Sequence, residues 1–252
     1  MKELFSLEGK VAIVTGCSTG LGQGMVVGLA QAGADIVGVD YVDAPETEQM
    51  VLALGRKYLA IKANLMTTDP IKDIVAQTKE VYGKVDILIN NAGIIRREDA
   101  INFTEQDWDD VMNVNIKSLF FLSQAVAKEF MEQKTGGKII NIASMLSFQG
   151  GIRVPSYTAS KSGVMGVTRL MANEWAKFDI NVNAIAPGYM ATNNTEALRA
   201  DQDRNKAILD RIPANRWGAP NDIAGPAVFL ASAASDYVNG YTLAVDGGWL
   251  AR

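Results

Sequence analysis

Near the start of the chain an apolar, β-rich run breaks into glycines and continues as an amphipathic helix, and this segment constrains the fold most. The run from Val11 to Val14 is followed by glycines at positions 16, 20 and 22. Such a turn lets a pyrophosphate approach the backbone and the free N–H groups of the helix N-terminus. The spacing Gly-x-x-x-Gly-x-Gly differs from the commoner Gly-x-Gly-x-x-Gly, so spacing alone does not settle what binds.

A second predicted strand, Asp35 to Val39, ends at Asp40. Asp40 lies 24 residues after Gly16, the first glycine of the turn. In nucleotide-binding βαβ units an acid about 20 residues after the glycines accepts hydrogen bonds from a ribose. The alternative is that Asp40 only forms a turn at the strand end. If it binds ribose, its carboxylate predicts NAD over NADP, because it would repel a 2′-phosphate.

The rest of the chain alternates between strand and helix patterns. Further strands are predicted at residues 58–63, 85–90, 138–144, 180–186 and 241–245. This alternation predicts one Rossmann-type, doubly wound α/β domain over residues 1–252, with an about seven-stranded parallel sheet and helices on both faces. Asn90 to Gly93 follow the fourth strand, Ser144 ends the fifth, and Pro187 and Gly188 follow the sixth. We expect these segments to meet in a crevice at the carboxyl ends of the strands.

Tyr157 and Lys161 stand four residues apart in the run Y-T-A-S-K. A helix with about 3.6 residues per turn places both side chains on one face. A cation beside a phenol stabilises the phenolate, so the pair predicts a lowered pKa for Tyr157 and a general acid or base. The alternative is a solvated helix face, because this spacing is common.

The chain contains no histidine and one cysteine, Cys17. Catalysis by Ser-His-Asp or Cys-His groups and a zinc site with histidine ligands are therefore excluded, and no metal site is predicted. Tyrosine supported by lysine remains as the candidate for proton transfer. Cys17 lies inside the predicted phosphate turn, where we interpret it as a small packing residue.

The net charge of −4 and the pI near 5.0 argue against binding to nucleic acid or an anionic membrane. No segment approaches the roughly 18 apolar residues of a membrane span, and the N-terminus lacks the apolar core of a signal peptide. The sequence therefore predicts a cytoplasmic protein.

The chain resembles the short-chain dehydrogenase/reductase family over nearly its whole length. The matching motifs, in order, are T-G-C-S-T-G-L-G from Thr15 to Gly22, N-N-A-G from Asn90 to Gly93, Asn115 in N-V-N, Ser144 at the end of I-I-N-I-A-S, Tyr157 and Lys161 in Y-T-A-S-K, and P-G-Y-M-A-T from Pro187 to Thr192. Several motifs in the right order are far more specific than any one of them. The resemblance implies hydride transfer between nicotinamide and a carbon that bears oxygen.

The resemblance also implies a catalytic set of four residues. Tyr157 would exchange the proton, Ser144 would hydrogen-bond the substrate carbonyl, and Lys161 would lower the phenol's pKa and bind the nicotinamide ribose. The neighbourhood of Asn115 would bend its helix and bind a water that relays protons towards the lysine. Judged alone, Asn115 is equally a helix residue with a solvent-facing amide.

A larger set is expected to bind NAD on the same grounds. It comprises Gly16, Ser18, Thr19, Gly20, Leu21, Gly22, Asp40, Asn64, Leu65, Asn91, Ala92, Gly93, Tyr157, Lys161, Pro187, Gly188, Met190 and Thr192. Thr192 would hold the nicotinamide carboxamide. Asn64 departs from the family pattern, which often has aspartate against the adenine, although an amide can donate and accept there.

Residues 188–220 resemble the family's substrate lid, with a helical pattern at 195–211. The helix predicted from Asn221 and the last strand resemble segments that pair subunits, so a homotetramer is expected.

Three stretches, I-I-R-R-E-D-A, S-M-L-S-F-Q-G-G-I-R-V-P-S-Y and V-D-G-G-W-L-A-R, resemble family members that act on sugar acids of pectin and uronate breakdown. Such a substrate needs a cation for its carboxylate. Arg96, Arg97 and Arg153 can all border the crevice, and Arg153 or Arg96 is our hypothesis for the anchor. The alternatives are gluconate 5-dehydrogenase activity, an acyl-carrier-protein reductase, which would want NADPH, and a non-catalytic nucleotide-binding protein.

Overall fold

Within residues 3–252, which the computed structural model describes, seven strands form one parallel sheet. They are β1 (Val11–Thr15), β2 (Asp35–Asp40), β3 (Tyr58–Lys62), β4 (Ile87–Asn90), β5 (Gly137–Ile142), β6 (Ile180–Pro187) and β7 (Thr242–Val245). Their order is β3-β2-β1-β4-β5-β6-β7, and every neighbouring pair is parallel. The chain reverses its direction of travel across the sheet between β1 and β4, where a crevice opens at the carboxyl ends of the strands. The predicted doubly wound fold is confirmed.

Helices cover both faces of this sheet. The helices of the described chain are α1 (Gly20–Gln31), α2 (Pro45–Ala53), α3 (Ile71–Tyr82), α4 (Glu105–Met112), α5 (Ser118–Gln133), α6 (Pro155–Trp175), α7 (Glu196–Ala200), α8 (Gln202–Arg211) and α9 (Pro220–Ala231). Apolar side chains of α3, α5 and α6 pack on one face of the sheet, and those of α1, α2 and α9 pack on the other. All five residues of β1 are buried, as expected for a parallel strand covered on both sides. No helix in the described part of the chain is both long and apolar enough to cross a membrane.

The predicted strand bounds hold to within two residues, and the difference at β5 matters for the site. β5 ends at Ile142, so Ser144 is not its last residue. Ser144 instead caps a short 3-10 turn, Met145–Ser147, and its side chain accepts a hydrogen bond from the backbone N–H of Leu146. Serine favours such capping positions because its hydroxyl competes for backbone groups.

The predicted lid helix at 195–211 is interrupted. It forms two helices, α7 and α8, which are separated by Asp201. The Asp201 carboxylate accepts a hydrogen bond from the backbone N–H of Arg204 at 3.0 Å, so this residue is the N-cap of α8. An N-cap residue has non-helical backbone angles, which is why one continuous helix does not form.

Candidate active site

The glycine-rich turn after β1 forms a tight backbone cradle at the start of α1. Gly16 has a φ of +66°, which L side chains rarely adopt. A Cβ on Gly22 would lie 1.9 Å from the Gly16 carbonyl oxygen, so no side chain fits there. The backbone is therefore open to a ligand at the positive end of the α1 dipole, which is the arrangement that binds a pyrophosphate.

The N-N-A-G segment braces this cradle. The Asn91 side chain donates to the carbonyl oxygens of Thr15 and Gly16 at 2.9 and 2.8 Å. The backbone N–H groups of Asn91 and Ala92 both donate to the Thr15 hydroxyl, at 3.0 and 2.9 Å. Asn90 is buried and donates to Ser123 of α5 and to Asn141 of β5. The N-N-A-G segment therefore holds the glycine cradle in place, and it is more than a simple turn.

Asp40 stands at the end of β2 beside the cradle. Its carboxylate accepts hydrogen bonds from the backbone N–H groups of Ser18, at 3.0 Å, and Tyr41, at 2.8 Å. Each carboxylate oxygen has a further lone pair with which it can accept a ribose hydroxyl. The carboxylate therefore does more than form a strand-end turn, because it also orders the phosphate loop through Ser18.

Cys17 is buried within the same loop, as a packing residue should be. Burial raises the pKa of its thiol to about 11, and its sulfur lies 3.5 Å from the Tyr58 hydroxyl. At neutral pH the thiol is protonated, so it is a poor nucleophile.

These segments border one cleft of about 660 Å³. The predicted cofactor residues that line it are Gly16, Ser18, Thr19, Gly20, Leu21, Gly22, Asp40, Asn64, Leu65, Asn91, Ala92, Gly93, Tyr157, Lys161 and Thr192. The side chain of Asn64 also accepts from the backbone N–H of Met66 at 3.0 Å. A narrow glycine cradle and an acid beside it in one cleft fit a dinucleotide.

Pro187, Gly188 and Met190 do not line the cleft and lie in its supporting wall. Pro187 is the last residue of β6, the Gly188 N–H donates to the Val245 carbonyl at 2.9 Å, and Met190 is buried. They lead the chain to Thr192, whose side chain approaches Gly20 of the phosphate loop. Their direct contact with a cofactor remains a prediction.

Tyr157 and Lys161 line the cleft, and Ser144, which is buried and does not line it, lies next to Tyr157. The Lys161 ammonium donates to the Ile142 carbonyl oxygen at 2.6 Å and lies 5.6 Å from the centre of the Tyr157 ring. The Ser144 hydroxyl is close enough to the Tyr157 hydroxyl to lower the pKa of the phenol. A serine and a phenol side by side, with a cation next to them, form a unit that can orient a carbonyl and exchange a proton with it.

Asn115 lies behind this unit in a π-helical turn, Asn113–Lys117, that joins α4 and α5. Its amide group is buried, accepts from the Ile94 N–H at 2.8 Å, and donates to the Ile94 carbonyl at 3.0 Å. It also donates to the Ser160 hydroxyl at 3.2 Å, and Ser160 in turn donates to the Tyr157 carbonyl. The interpretation of Asn115 as a solvent-facing amide is therefore wrong, and the expected departure from a regular helix is present.

Burial dominates the electrostatics of the site. It raises the pKa of Tyr157 above the usual value, and the Ser144 hydrogen bond and the charge of Arg97 lower it only in part. Burial also lowers the pKa of Lys161 to about 8. The predicted lowering of the Tyr157 pKa by Lys161 is wrong for the protein without cofactor, because desolvation of the phenolate outweighs the nearby charges.

The three candidate arginines differ in their partners. Arg96 lines the cleft and pairs with Asp107 and Asp110 of α4 at 3.4 and 3.2 Å. Arg153 pairs with Glu98 and Asp99 at 3.5 and 3.0 Å, and it does not line the cleft. Carboxylates of the protein already hold both guanidinium groups, and the hypothesis that Arg96 or Arg153 is the anchor stays a prediction.

Arg97 is arranged differently. It has no carboxylate partner among residues 3–252, and its guanidinium donates to the neutral backbone carbonyl of Asn194 at 3.1 Å. Its charge also acts on the Tyr157 hydroxyl. Arg97 does not line the cleft, and of the three arginines it is the one that no protein carboxylate holds within the described residues.

A second cavity, of about 850 Å³, lies at the opposite edge of the sheet, near the amino ends of β4, β5 and β6. Its lysines are paired: Lys10 with Asp86 at 3.4 Å and Lys138 with Asp236 at 2.7 Å. Across the described residues, no group of three or more His, Cys, Asp or Glu side chains is placed to hold a metal ion.

Comparison with known proteins agrees with this geometry. A family model described as Enoyl-(Acyl carrier protein) reductase matches residues 16–250. The 2-dehydro-3-deoxy-D-gluconate 5-dehydrogenase of Escherichia coli is 72% identical over 248 residues, which are 98% of this chain and 98% of that protein. A protein of Agrobacterium tumefaciens, whose crystal structure contains NADP, is 59% identical with a TM-score of 0.93, and the match covers 99% of each chain. A gluconate 5-dehydrogenase of Burkholderia cenocepacia, solved with NADP and tartrate, is 36% identical with a TM-score of 0.95 over 100% of this chain and 99% of that one.

The fold, the cleft and these relatives define an oxidoreductase of the class that uses a nicotinamide dinucleotide. The chain belongs to the short-chain dehydrogenase/reductase family. An acyl-carrier-protein reductase and a protein without chemistry are not favoured, because the Escherichia coli and Burkholderia relatives named above, which match over nearly the full length, are dehydrogenases of sugar acids.

Proposed function

We propose that this protein is an NAD-dependent dehydrogenase that interconverts 2-dehydro-3-deoxy-D-gluconate and 3-deoxy-D-glycero-2,5-hexodiulosonate in pectin and uronate breakdown. The observation that carries the proposal is the Ser144, Tyr157 and Lys161 unit at the cleft, with the charge of Arg97 acting on Tyr157. The identity to the Escherichia coli enzyme supports the choice of substrate.

Each residue has a distinct part in this proposal. When bound, the nicotinamide dinucleotide supplies the group that accepts or gives the hydride. Ser144 orients the substrate oxygen, and Tyr157 protonates it during reduction or takes its proton during oxidation. Lys161 holds positive charge beside the phenol, and Asn115 fixes the helix behind it. Asp40 and the glycine cradle would hold the adenosine ribose and the pyrophosphate.

The proposal is tested by a substrate panel. Purified protein is mixed with NAD, NADP or their reduced forms and with 2-dehydro-3-deoxy-D-gluconate, gluconate, or a 3-oxoacyl thioester on a carrier protein, and the absorbance of the reduced nicotinamide is followed. A kcat/KM that is highest for 2-dehydro-3-deoxy-D-gluconate supports the proposal. Preference for gluconate or for the thioester would replace it.

For the cofactor we propose NAD(H), although the Agrobacterium relative holds NADP. The Asp40 carboxylate would repel a 2′-phosphate, and neither Tyr41 nor the neutral pair Ser18 and Thr19 offers a cation to compensate. The wild-type protein is therefore expected to prefer NAD(H) in kcat/KM.

Replacing Asp40 with Ala together with Tyr41 with Arg is expected to move the NADP/NAD ratio of kcat/KM towards NADP by at least about tenfold, since charge-assisted hydrogen bonds contribute about 1.5 to 3 kcal/mol. The single variant Tyr41→Arg is the control, because it adds the cation and keeps the repelling carboxylate. A wild-type preference for NADPH would contradict the argument.

For the substrate we propose Arg97 as the carboxylate anchor, in place of Arg96 and Arg153. Arg97→Ala is expected to lower kcat/KM for the acid by about ten- to a hundredfold. The matched controls are Arg96→Ala and Arg153→Ala, which remove arginines that protein carboxylates already hold.

Arg97 also acts electrostatically on Tyr157, so its loss is expected to slow every substrate to some degree. The readout is therefore the ratio of kcat/KM for the acid to that for its uncharged analogue. An equal loss on both compounds would leave Arg97 an electrostatic role only and would remove it as the anchor.

The remaining features of the proposal concern the whole protein. We place the enzyme in the cytoplasm as a homotetramer, with residues 188–220 as a lid over the substrate. The acidic composition and the family resemblance support the cytoplasmic location and the homotetramer. The contact of Arg97 with the Asn194 carbonyl supports the lid, since it joins the lid segment to the loop after β4.

A further inference from the structure

Ser147 is a buried serine next to the catalytic unit, in the 3-10 turn Met145–Ser147. Its hydroxyl donates to the backbone carbonyl oxygen of Lys161 at 2.6 Å. It also accepts a hydrogen bond from the backbone N–H of Ser144 at 3.3 Å. One hydroxyl therefore connects the peptide groups of two residues that the proposed chemistry requires.

This connection crosses between two separate elements. Ser144 lies in the segment after β5, whereas Tyr157 and Lys161 lie on α6, and a loop separates them. A second contact at the same junction, from the Ser162 hydroxyl to the Leu146 carbonyl at 3.2 Å, is exposed and does not touch Ser144. The Ser147 hydroxyl is thus a buried polar link between the backbone of Ser144 and α6.

The geometry of Ser144 depends on this tie. The Ser144 hydroxyl accepts from the Leu146 N–H at 3.2 Å, while its own N–H is held by Ser147. These two reciprocal bonds fix both ends of the residue, as in a capping box. Its hydroxyl hydrogen then remains for Tyr157 or for a substrate oxygen.

We propose that Ser147 is a positioning residue that holds the Ser144 hydroxyl at hydrogen-bonding distance from Tyr157. The inference rests on the proposed function, because it gives Ser147 a role only if Ser144 and Tyr157 act on the substrate. Ser147 itself does not line the cleft.

Ser147→Ala is expected to lower kcat for oxidation of 2-dehydro-3-deoxy-D-gluconate by about tenfold and to leave the affinity for NADH unchanged. The pH midpoint of kcat for oxidation is expected to rise, because the Ser144 hydrogen bond lowers the pKa of Tyr157 and is weakened in the variant. Ser147→Cys, which fills the same space with a weaker donor, is expected to change both quantities in the same direction. Ser162→Ala is the matched control at the same junction and is expected to keep the wild-type kcat and pH midpoint.

A double-mutant cycle separates positioning from a general structural effect. If Ser147 acts through Ser144, its removal in a Ser144→Ala background is expected to have no further effect on kcat or on the pH midpoint. Wild-type kcat and pH dependence in Ser147→Ala, or losses that add in the double variant, would overturn the proposal. Tyr157→Phe is measured in parallel. If that variant keeps wild-type turnover, the proposed function fails, whereas its inactivity with an unaffected Ser147→Ala refutes this inference alone.

Discussion

Tyr157→Phe is expected to lower kcat by about 10²- to 10⁴-fold, the usual effect of removing a general acid or base. Phenylalanine keeps the ring and fills the same space on α6, so packing around it should be retained. The variant loses the hydroxyl that bonds Ser144 and would exchange the proton with the substrate. Steady-state turnover in both directions, with NADH binding followed by its fluorescence, measures the two effects separately.

The expected pattern is a large loss of kcat with an NADH affinity that changes by no more than about twofold, because the hydroxyl is assigned to proton transfer. Ser144→Ala is the companion variant, since it removes the partner of the phenol and leaves the phenol itself. A Phe variant with more than a tenth of wild-type turnover would show that another group exchanges the proton.

The architecture of this protein could be predicted from its sequence because its signals are local. Apolar runs such as Val11–Thr15 are buried on both sides, and only a parallel sheet with helices on both faces accommodates many of them. The placement of Tyr157 and Lys161 on one helical face follows from their spacing of four residues. Even the break in the lid helix had a local signal, because Asp201 is a favoured N-cap residue.

The roles of the arginines could not be predicted in this way. Arg96 and Arg97 are adjacent in sequence, and nothing local tells which one pairs with α4 and which one contacts the Asn194 carbonyl. Asp107 and Asp110 hold Arg96 only because the fold brings α4 against the loop after β4. Arg153 is held in the same way by Glu98 and Asp99. Ion pairs between distant segments are properties of the tertiary structure.

The electrostatic prediction for Tyr157 failed for a related reason. The sequence shows that a lysine stands one turn away, but it does not show how far both groups are removed from water. In the folded protein the Lys161 ammonium is directed to the Ile142 carbonyl, and burial raises the pKa of the phenol. Desolvation raises the pKa of the phenol and nearby positive charge lowers it, and the sequence does not show how large either effect is.

Lys161→Met is expected to abolish measurable turnover, a loss of at least about 100-fold, because it removes the cation beside the proton-transferring group. The same change is expected to raise the free energy of unfolding of the cofactor-free protein at pH 7 by about 1 to 3 kcal/mol. Lys161 is 4% exposed, and its pKa falls to about 8 because burial disfavours the charged form. Methionine has a similar length and carries no charge, so the desolvation cost disappears, although the bond to the Ile142 carbonyl is also lost.

The pH dependence gives this prediction its sharpest test. Between pH 8 and 10.5 the folded wild-type protein loses the Lys161 proton while the unfolded chain keeps it, so the free energy of unfolding gains a contribution that increases with pH. Lys161→Met lacks this increase, and its advantage over the wild type should shrink across that window. Urea unfolding of the cofactor-free proteins at several pH values measures the difference, with Lys72→Met as the control because Lys72 is an exposed lysine on α3. A variant that is less stable than wild type at pH 7, or that keeps a constant difference from it up to pH 10.5, would show that burial does not destabilise the charged lysine.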